Sequence, residues 1–411
     1  MLAGTFRRTV LANGLTVVSE TLDHVRSVSI GIWVRAGTRD EIPEEHGIAH
    51  FVEHCVFKGT DRRNAFEIVN DIESLGGSLD AFTSRDVTCY FVRCLDEHWR
   101  TGADLLADLV FHAQFDRDEV EKERRVVLEE IQSVEDTPED LIHDLFAKSV
   151  WGEHPVGAPI LGSPESLRTI EADRLKQFVG QNYRPDNMVL SASGHVDHDE
   201  IVELADRLFQ KELVSLSRPE RRAPSGAERV VRHYPRDINQ THFCLGTTAW
   251  PYDHPRQYDL LVADTVLGGG MTSRLFQEIR EKRGLAYSVY SYLELLEDTG
   301  LFGTYMACDR TRLDGAVDVV WDELTRFKRD GVTPVELDSA KAQLKGELIL
   351  GYESVNRRMS NLARDEIYLN RYDAPETALR HIDRVTLAGV WEACQALVDT
   401  PRMHQITVGP G

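Results

Sequence analysis

The stretch that decides the fold runs from Glu44 to Thr60 and reads EEHGIAHFVEHCVFKGT. As a helix, it places His50, Glu53 and His54 on one face and its apolar residues on the opposite face. Two imidazoles one turn apart can ligate one Zn²⁺, and a carboxylate beside them can take a proton from an activated water molecule. The alternative is a solvated polar face. The stretch therefore predicts an amphipathic helix that carries a candidate metal site.

Candidates for a third ligand lie in the helical pattern of residues 116–135. Glu123 and Glu130 fall on the apolar face of this pattern, whereas Glu129 falls on its polar face. A carboxylate on a buried face is costly unless it is paired or binds a metal, so Glu123 and Glu130 are the candidates. The alternative for Glu123 is pairing with a core arginine or histidine. The apolar residues of this face are Val120, Val126, Val127, Ile131 and Val134.

These motifs resemble the signature of the M16 metallopeptidase family, which is His-x-x-Glu-His followed downstream by a glutamate ligand, with another glutamate seven residues before that ligand. Here Glu130 lies 76 residues after His54 and seven residues after Glu123. By this resemblance, His50, His54 and Glu130 are the ligands of one Zn²⁺ per chain. The resemblance also implies that Glu53 is the general base and that Glu123 orients a ligand.

The resemblance covers nearly the whole chain and implies an α+β fold of two homologous domains related by pseudo-symmetry. Each domain is a mainly antiparallel sheet covered by helices. The sequence itself also restarts: a helical pattern over 258–267 ends at Gly268-Gly269-Gly270, much as the His50 helix ends at Gly59. Leu260 and Asp264 then occupy the positions of His50 and His54, so the second copy has no ligand pair.

The length of 411 residues also favours two domains. We expect an N-terminal zinc-binding catalytic domain over residues 1–214 and a polar linker over 215–227. A C-terminal domain over 228–411 then carries no metal and completes the substrate chamber.

Two further groups of residues are predicted to contact substrate. Arg280 and Tyr287 resemble the arginine and tyrosine that family members direct at the substrate near the scissile bond; the alternative is an exposed arginine and a tyrosine that starts a strand. We expect this pair to meet the zinc of another half-molecule. An edge strand can pair its backbone with an extended peptide, or it is an ordinary sheet strand. Its residues are Asp80, Ala81, Phe82 and Thr83, and many family members have asparagine at the position of Asp80.

Asp140 and Asp144 lie one helical turn apart and can face one pocket. Acidic residues at matching offsets in the mitochondrial processing peptidase receive a substrate arginine, and two carboxylates suit a guanidinium. The alternative is that Asp140 favours the dipole of a helix N-terminus. We therefore expect cleavage of basic peptides.

Composition and charge exclude several classes of protein. A net charge of −21 argues against nucleic-acid binding, because phosphates would be repelled. The alternative is that this charge only keeps the protein in solution. The sequence has no apolar run long enough to span a membrane and no signal peptide, which favours a cytoplasmic protein. The six cysteines form no Cys-x-x-Cys pair and mostly lie in apolar runs, so reduced core thiols are expected.

The sequence therefore predicts a half-length zinc endopeptidase. Because longer family members carry four such domains, a closed chamber needs a second chain, and a homodimer is the economical choice. The alternatives are the catalytic subunit of a heterodimer with a zinc-less homologue, a non-catalytic scaffold subunit, and a peptide-binding module without turnover.

Overall fold

The computed structural model describes residues 4–210 and 221–411, and these residues form two β-sheets and a set of helices. The strands are β1 Thr5–Val10, β2 Thr16–Thr21, β3 Ser27–Val34, β4 Ser78–Thr83, β5 Thr88–Leu95, β6 Met188–Gly194, β7 Val231–Pro235, β8 Gln240–Ala249, β9 Ala286–Leu295, β10 Gly300–Asp309 and β11 His404–Gly409. The helices are α1 Ile48–Val56, α2 Ala65–Glu73, α3 Trp99–His112, α4 Arg117–Asp136, α5 Pro138–Trp151, α6 Pro164–Leu167, α7 Ala172–Asn182, α8 His198–Leu208, α9 Gln257–Gly268, α10 Leu313–Asp330, α11 Pro334–Gly351, α12 Val355–Arg364, α13 Pro375–Arg384 and α14 Leu387–Leu397.

The first sheet has the strand order β1-β2-β6-β3-β5-β4. All neighbours are antiparallel except β2 and β6, which run parallel. The pair Asn13-Gly14, which is typical of hairpin turns, joins the antiparallel strands β1 and β2, and Gly14 has the positive φ of 87° that such a turn favours. Strand β4 lies at the edge of the sheet, as predicted for the stretch up to Thr83.

The second sheet repeats this plan. Its order, β7-β11-β8-β10-β9, matches β2-β6-β3-β5-β4 strand for strand, including one parallel pair, β7 with β11. Helix α9 follows β8 as helix α1 follows β3. The predicted α+β fold of two homologous sheet-and-helix domains is therefore confirmed.

Both faces of each sheet are buried. On β3, Ile30 and Ile32 point into the core beneath α1 and α3, whereas Trp33 packs with Met359 of α12 on the other face. Gly31 permits this close approach, because a Cβ at its position would lie 3.0 Å from Met359 Sδ. In the second sheet, α9, α10 and α14 contribute to the core on one face and α5 covers the other.

Each of the two compact units includes a segment from the other half of the sequence. Unit 1 comprises the described residues of Met1–Ile131, Pro159–Arg221 and Ile349–Pro375, and unit 2 those of Gln132–Ala158, Arg222–Leu348 and Glu376–Gly411. The predicted division into 1–214, 215–227 and 228–411 is contiguous and differs from this grouping. The physical reason is the second apolar face of each sheet, which α12 covers in unit 1 and α5 in unit 2. Residues 215–220 of the expected linker lie outside the described residues.

Two other features bear on function. All six cysteines lie in described parts of the chain, where they are buried and unpaired. Within residues 4–210 and 221–411, no helix is both long and apolar enough to cross a lipid bilayer.

Candidate metal centre

Helix α1 carries the His-x-x-Glu-His motif, and its first turn is held by two residues that precede it, Glu41 and Gly47. Gly47 precedes it with a φ of 95°, a left-handed conformation that favours glycine. The buried carboxylate of Glu41 accepts hydrogen bonds from the backbone N–H of Gly47 at 2.8 Å and of Ala49 at 2.9 Å. Glu41 therefore satisfies two amide groups at the helix start, directly before His50.

Three predicted ligands meet in unit 1. The ligand atoms of His50, His54 and Glu130 lie within 4.8 Å of one another. Glu130 Oε2 is 3.7 Å from His50 Nε2 and 3.5 Å from His54 Nε2. Among the residues that the structure describes, this is the one group of three such side chains that could hold a metal ion.

The spacing and chemistry of this group fit zinc. Ligand atoms about 2.0–2.2 Å from a tetrahedral Zn²⁺ lie roughly 3.3–3.6 Å apart, close to the two N–O separations of the group. Two imidazole nitrogens and one carboxylate oxygen are also a common set of ligands for catalytic zinc. The group can therefore hold one ion and leave a fourth position for another ligand.

The electrostatics of the metal-free group favour ligation by His50. Burial, and then the neighbouring His54, lower the pKa of His50 to about 4, so its imidazole is neutral at pH 7. Burial also opposes protonation of His54, but contacts with Glu130 and Glu123 raise its pKa overall. Contact with His54 lowers the pKa of Glu130. A proton therefore competes with a metal ion more strongly at His54 than at His50.

Glu123 lies behind His54. With its ring proton on Nδ1, His54 donates to Glu123 Oε2 at 3.1 Å, which leaves Nε2 facing Glu130. The second carboxylate oxygen, Glu123 Oε1, lies 2.7 Å from Lys58 Nζ. Glu123 thus contacts a ligand without belonging to the group of three, as its predicted role requires.

Glu53 occupies the same face of α1 as the two histidines and contacts the edge strand. The Thr83 hydroxyl donates to Glu53 Oε2 at 2.6 Å. Burial raises the pKa of Glu53; the bond from Thr83 and the charge of His54 oppose the shift, whereas Glu130 and Asp80 add to it. A carboxylate with a raised pKa is suited to hold a proton during a reaction.

The predicted substrate strand alternates as β4. Asp80 and Phe82 are exposed, whereas Ala81 and Thr83 are half-buried. The Thr83 side chain is occupied by Glu53, and Phe82 packs edge-on against Trp33. The backbone of β4 pairs with β5 on one side, and the sheet ends on its other side.

Helix α4 differs in detail from the predicted apolar face. Val126 is 49% exposed and lies outside the core, whereas Arg124 is buried and bonds to the carbonyls of Leu167 and Ile170. The buried face is therefore rotated toward Arg124. As a result, Glu130 lies at its margin with a 42% exposed side chain, and Glu129 is exposed as predicted.

The other predicted residues lie in unit 2. The Arg280 guanidinium stacks on the Tyr287 ring at 4.4 Å and donates to the Tyr287 carbonyl at 3.1 Å. Tyr287 is 76% exposed, so its hydroxyl is available to a ligand. Asp140 and Asp144 lie in the first two turns of α5, Asp140 exposed and Asp144 half-buried.

Sequence reasoning missed Glu41 and Lys58. Lys58 follows His54 by four residues, so its position relative to the helix was a readable signal, but its contact with α4 was not. Glu41 lies in an irregular segment before α1, and no periodic pattern predicts the hydrogen bonds that it accepts at the helix start.

Comparison with known proteins gives full-length similarity. Residues 16–164 match the domain family described as insulinase (peptidase family M16), and residues 169–344 match the peptidase M16 inactive domain. A protein of Mycobacterium tuberculosis named an uncharacterized zinc protease is 42% identical over 410 residues, which cover 98% of this chain and 93% of that one. A Bacillus subtilis protein with the same description is 39% identical over 389 residues, 93% of each chain.

Solved structures agree in fold. A protease from Helicobacter pylori superposes with a TM-score of 0.93 at 23% identity, covering 99% of this chain and 100% of the other. A peptidase M16 inactive domain from Pseudomonas fluorescens gives 0.90 at 22% identity, over 99% and 98% of the two chains.

Proposed function

Because the chain belongs to the M16 peptidase family, we propose that it is a zinc-dependent endopeptidase in which Glu53 is the general base. The observation that carries this proposal is the group of His50, His54 and Glu130, with Glu53 beside it on the same helix face. Zinc, when bound there, supplies the Lewis acidity that activates water and polarises a peptide carbonyl.

The chain's own residues carry the proton and position the substrate. Glu53 takes a proton from the attacking water and returns it to the leaving amine. Thr83 holds one oxygen of Glu53, which leaves the other for the proton. The β4 backbone, from Asp80 through Ala81 and Phe82, pairs with the extended peptide. This pairing places alternate side chains of the substrate toward α1.

Arg280 and Tyr287 complete the proposed machinery. The guanidinium binds a substrate carbonyl, and the phenol stabilises the oxyanion that develops in the transition state. Their stacking fixes both side chains at low cost in conformational freedom. We propose that they act on the metal site of a second copy of this chain, in a homodimer.

Glu53→Gln tests the proposal. This variant should keep its fold and its zinc but lose hydrolysis of a fluorogenic unstructured peptide by about 10²–10⁴-fold, because only the base is removed. Glu73→Gln, which neutralises an exposed glutamate at the end of α2, is the control and should match wild type. Unchanged turnover in Glu53→Gln would assign the base elsewhere, and absence of chelator-sensitive turnover in wild type would favour a scaffold or binding role.

A further inference from the structure

Within the described part of the chain, Lys58 reaches the metal group through Glu123. Its Nζ lies 2.7 Å from Glu123 Oε1, and the Glu123 side chain is only 8% exposed. Lys58 lies just beyond the end of α1, where its backbone N–H donates to the Cys55 carbonyl. The helix end thus fixes the lysine in place before its side chain reaches across to α4.

The two oxygens of Glu123 are divided between two partners. Oε2 accepts from His54 Nδ1 at 3.1 Å, and Oε1 contacts Lys58. The cations next to Glu123 in sequence are directed elsewhere. Arg124 bonds to the carbonyls of Leu167 and Ile170 and to Glu121, Lys122 pairs with Glu119, and Arg125 is exposed. Lys58 therefore supplies the positive charge that a buried carboxylate needs at this position.

Because Lys58 holds Oε1, the Glu123 carboxylate cannot rotate freely, and Oε2 stays against His54. If Lys58 were lost, Glu123 could turn its carboxylate toward solvent, and His54 would lose the acceptor that fixes its ring. His50 cannot compensate, because its Nδ1 is buried and has no hydrogen-bond partner in the part of the chain that the structure describes. The orientation of the His54 ring thus depends on a relay from Lys58 through Glu123.

We propose that Lys58 is a positioning residue for the metal site, which it supports by holding Glu123 against His54. This inference rests on the proposed function, because it concerns the affinity of that same site for Zn²⁺. It predicts that removal of the lysine weakens zinc binding although the lysine touches no ligand atom.

The test compares zinc dissociation constants, measured by competition with a chelator, with the melting temperature of each metal-free protein. Lys58→Met should weaken zinc about 10–100-fold, the usual effect of losing a partner behind a ligand. Lys58→Arg, which keeps a cation, should recover most of the affinity. Lys122→Met removes an exposed lysine of α4 that pairs with Glu119, and it should bind zinc like wild type.

A double variant separates the relay from a general effect of charge. If Lys58 acts through Glu123, then Lys58→Met combined with Glu123→Gln should bind zinc no more weakly than Glu123→Gln alone. Additive losses would overturn the proposal. So would equal losses in Lys58→Met and Lys58→Arg, because the cation would then be irrelevant.

The remaining outcomes are also decisive. A lower melting temperature of the metal-free Lys58→Met protein with unchanged zinc affinity would assign Lys58 a purely structural role. If that variant is too unstable to titrate, Lys58→Gln replaces it under the same criteria. A wild-type protein that binds no zinc would refute the proposed function itself, whereas tight binding by wild type and Lys58→Met alike would refute only the inference.

Discussion

Two adjacent glutamates of α4 differ in chemistry because they differ in direction. Glu130 Oε2 approaches the Nε2 atoms of His50 and His54. Glu129 points about 100° away around the helix and is exposed to solvent. Their side chains are otherwise identical, so they form a matched pair for testing the ligand assignment.

We expect Glu130→Gln to lose zinc and Glu129→Gln to retain it. The amide is a poorer ligand than the carboxylate and carries no charge to balance the ion, whereas an exposed neighbour contributes little. Metal content per chain after dialysis, measured by atomic emission, reports the difference. Equal zinc in both variants would contradict the assignment of Glu130.

At the scale of the element, the start of α1 depends on one buried carboxylate. Burial raises the pKa of Glu41 from 4.5 to about 6, although bonds from His46, Ala49 and Gly47 oppose the shift. A group whose pKa is higher in the folded state stabilises most below its unfolded pKa, and that contribution is lost as pH rises through the folded pKa. The free energy of unfolding therefore falls as pH rises from about 4.5 to 6, because Glu41 loses its proton less readily in the folded protein. It stays at the lower value above that range.

Glu41→Gln should remove this pH dependence. Relative to the variant, wild type should lose about 2 kcal/mol of unfolding free energy as pH rises from 4.5 to 7. The glutamine amide also places an NH₂ group against a backbone N–H. This contact lowers the unfolding free energy of the variant by the same amount at every pH, so the difference in pH dependence still reports on Glu41. Denaturant unfolding of metal-free protein at several pH values measures it. Glu44→Gln, at an exposed position, should parallel wild type; a parallel curve for Glu41→Gln would contradict the prediction.

Helix α5 carries the two carboxylates that we propose select a substrate arginine. Asp140→Asn combined with Asp144→Asn should reduce the preference for arginine in a peptide-library cleavage profile, because the guanidinium loses both acceptors. Glu135→Gln combined with Asp136→Asn removes the same charge from α4 and should keep the preference. Added salt should weaken it in wild type. A profile without arginine enrichment would refute the pocket and leave the zinc mechanism intact.

At the scale of the whole molecule, the proposed partner of the metal site is another chain. If Arg280 and Tyr287 act on the zinc of a second copy, two inactive chains should complement each other. A mixed dimer of Glu53→Gln and Tyr287→Phe chains contains one site with both Glu53 and Tyr287 intact. Random exchange should then restore roughly a quarter of wild-type activity.

Light scattering and mixing together check this prediction. Size-exclusion chromatography with light scattering should give twice the mass of the chain, and the activity of each variant alone should stay low. A dimer that shows no recovery on mixing would mean that the tyrosine acts within its own chain or not at all. A monomer would point to a zinc-less partner protein.

Much of the fold and site could be predicted from the sequence because the relevant patterns are local. The spacing of His50, Glu53 and His54 requires one helix face, and seven residues between Glu123 and Glu130 return to the same side of α4. The hairpin signal of Asn13-Gly14 and the repeated helical pattern over 258–267 are also local features of the sequence. Each follows from the fixed geometry of one helix, turn or strand.

Only the tertiary structure decided which neighbours those residues have. The contact of Lys58 with Glu123, the bond from Thr83 to Glu53 and the exchange of α5 and α12 each join segments far apart in the chain. The exposure of Val126 depends likewise on how α4 docks. Local periodicity fixes which side chains share a face, but sheet register and helix docking, which depend on the packing of the whole core, fix what that face meets.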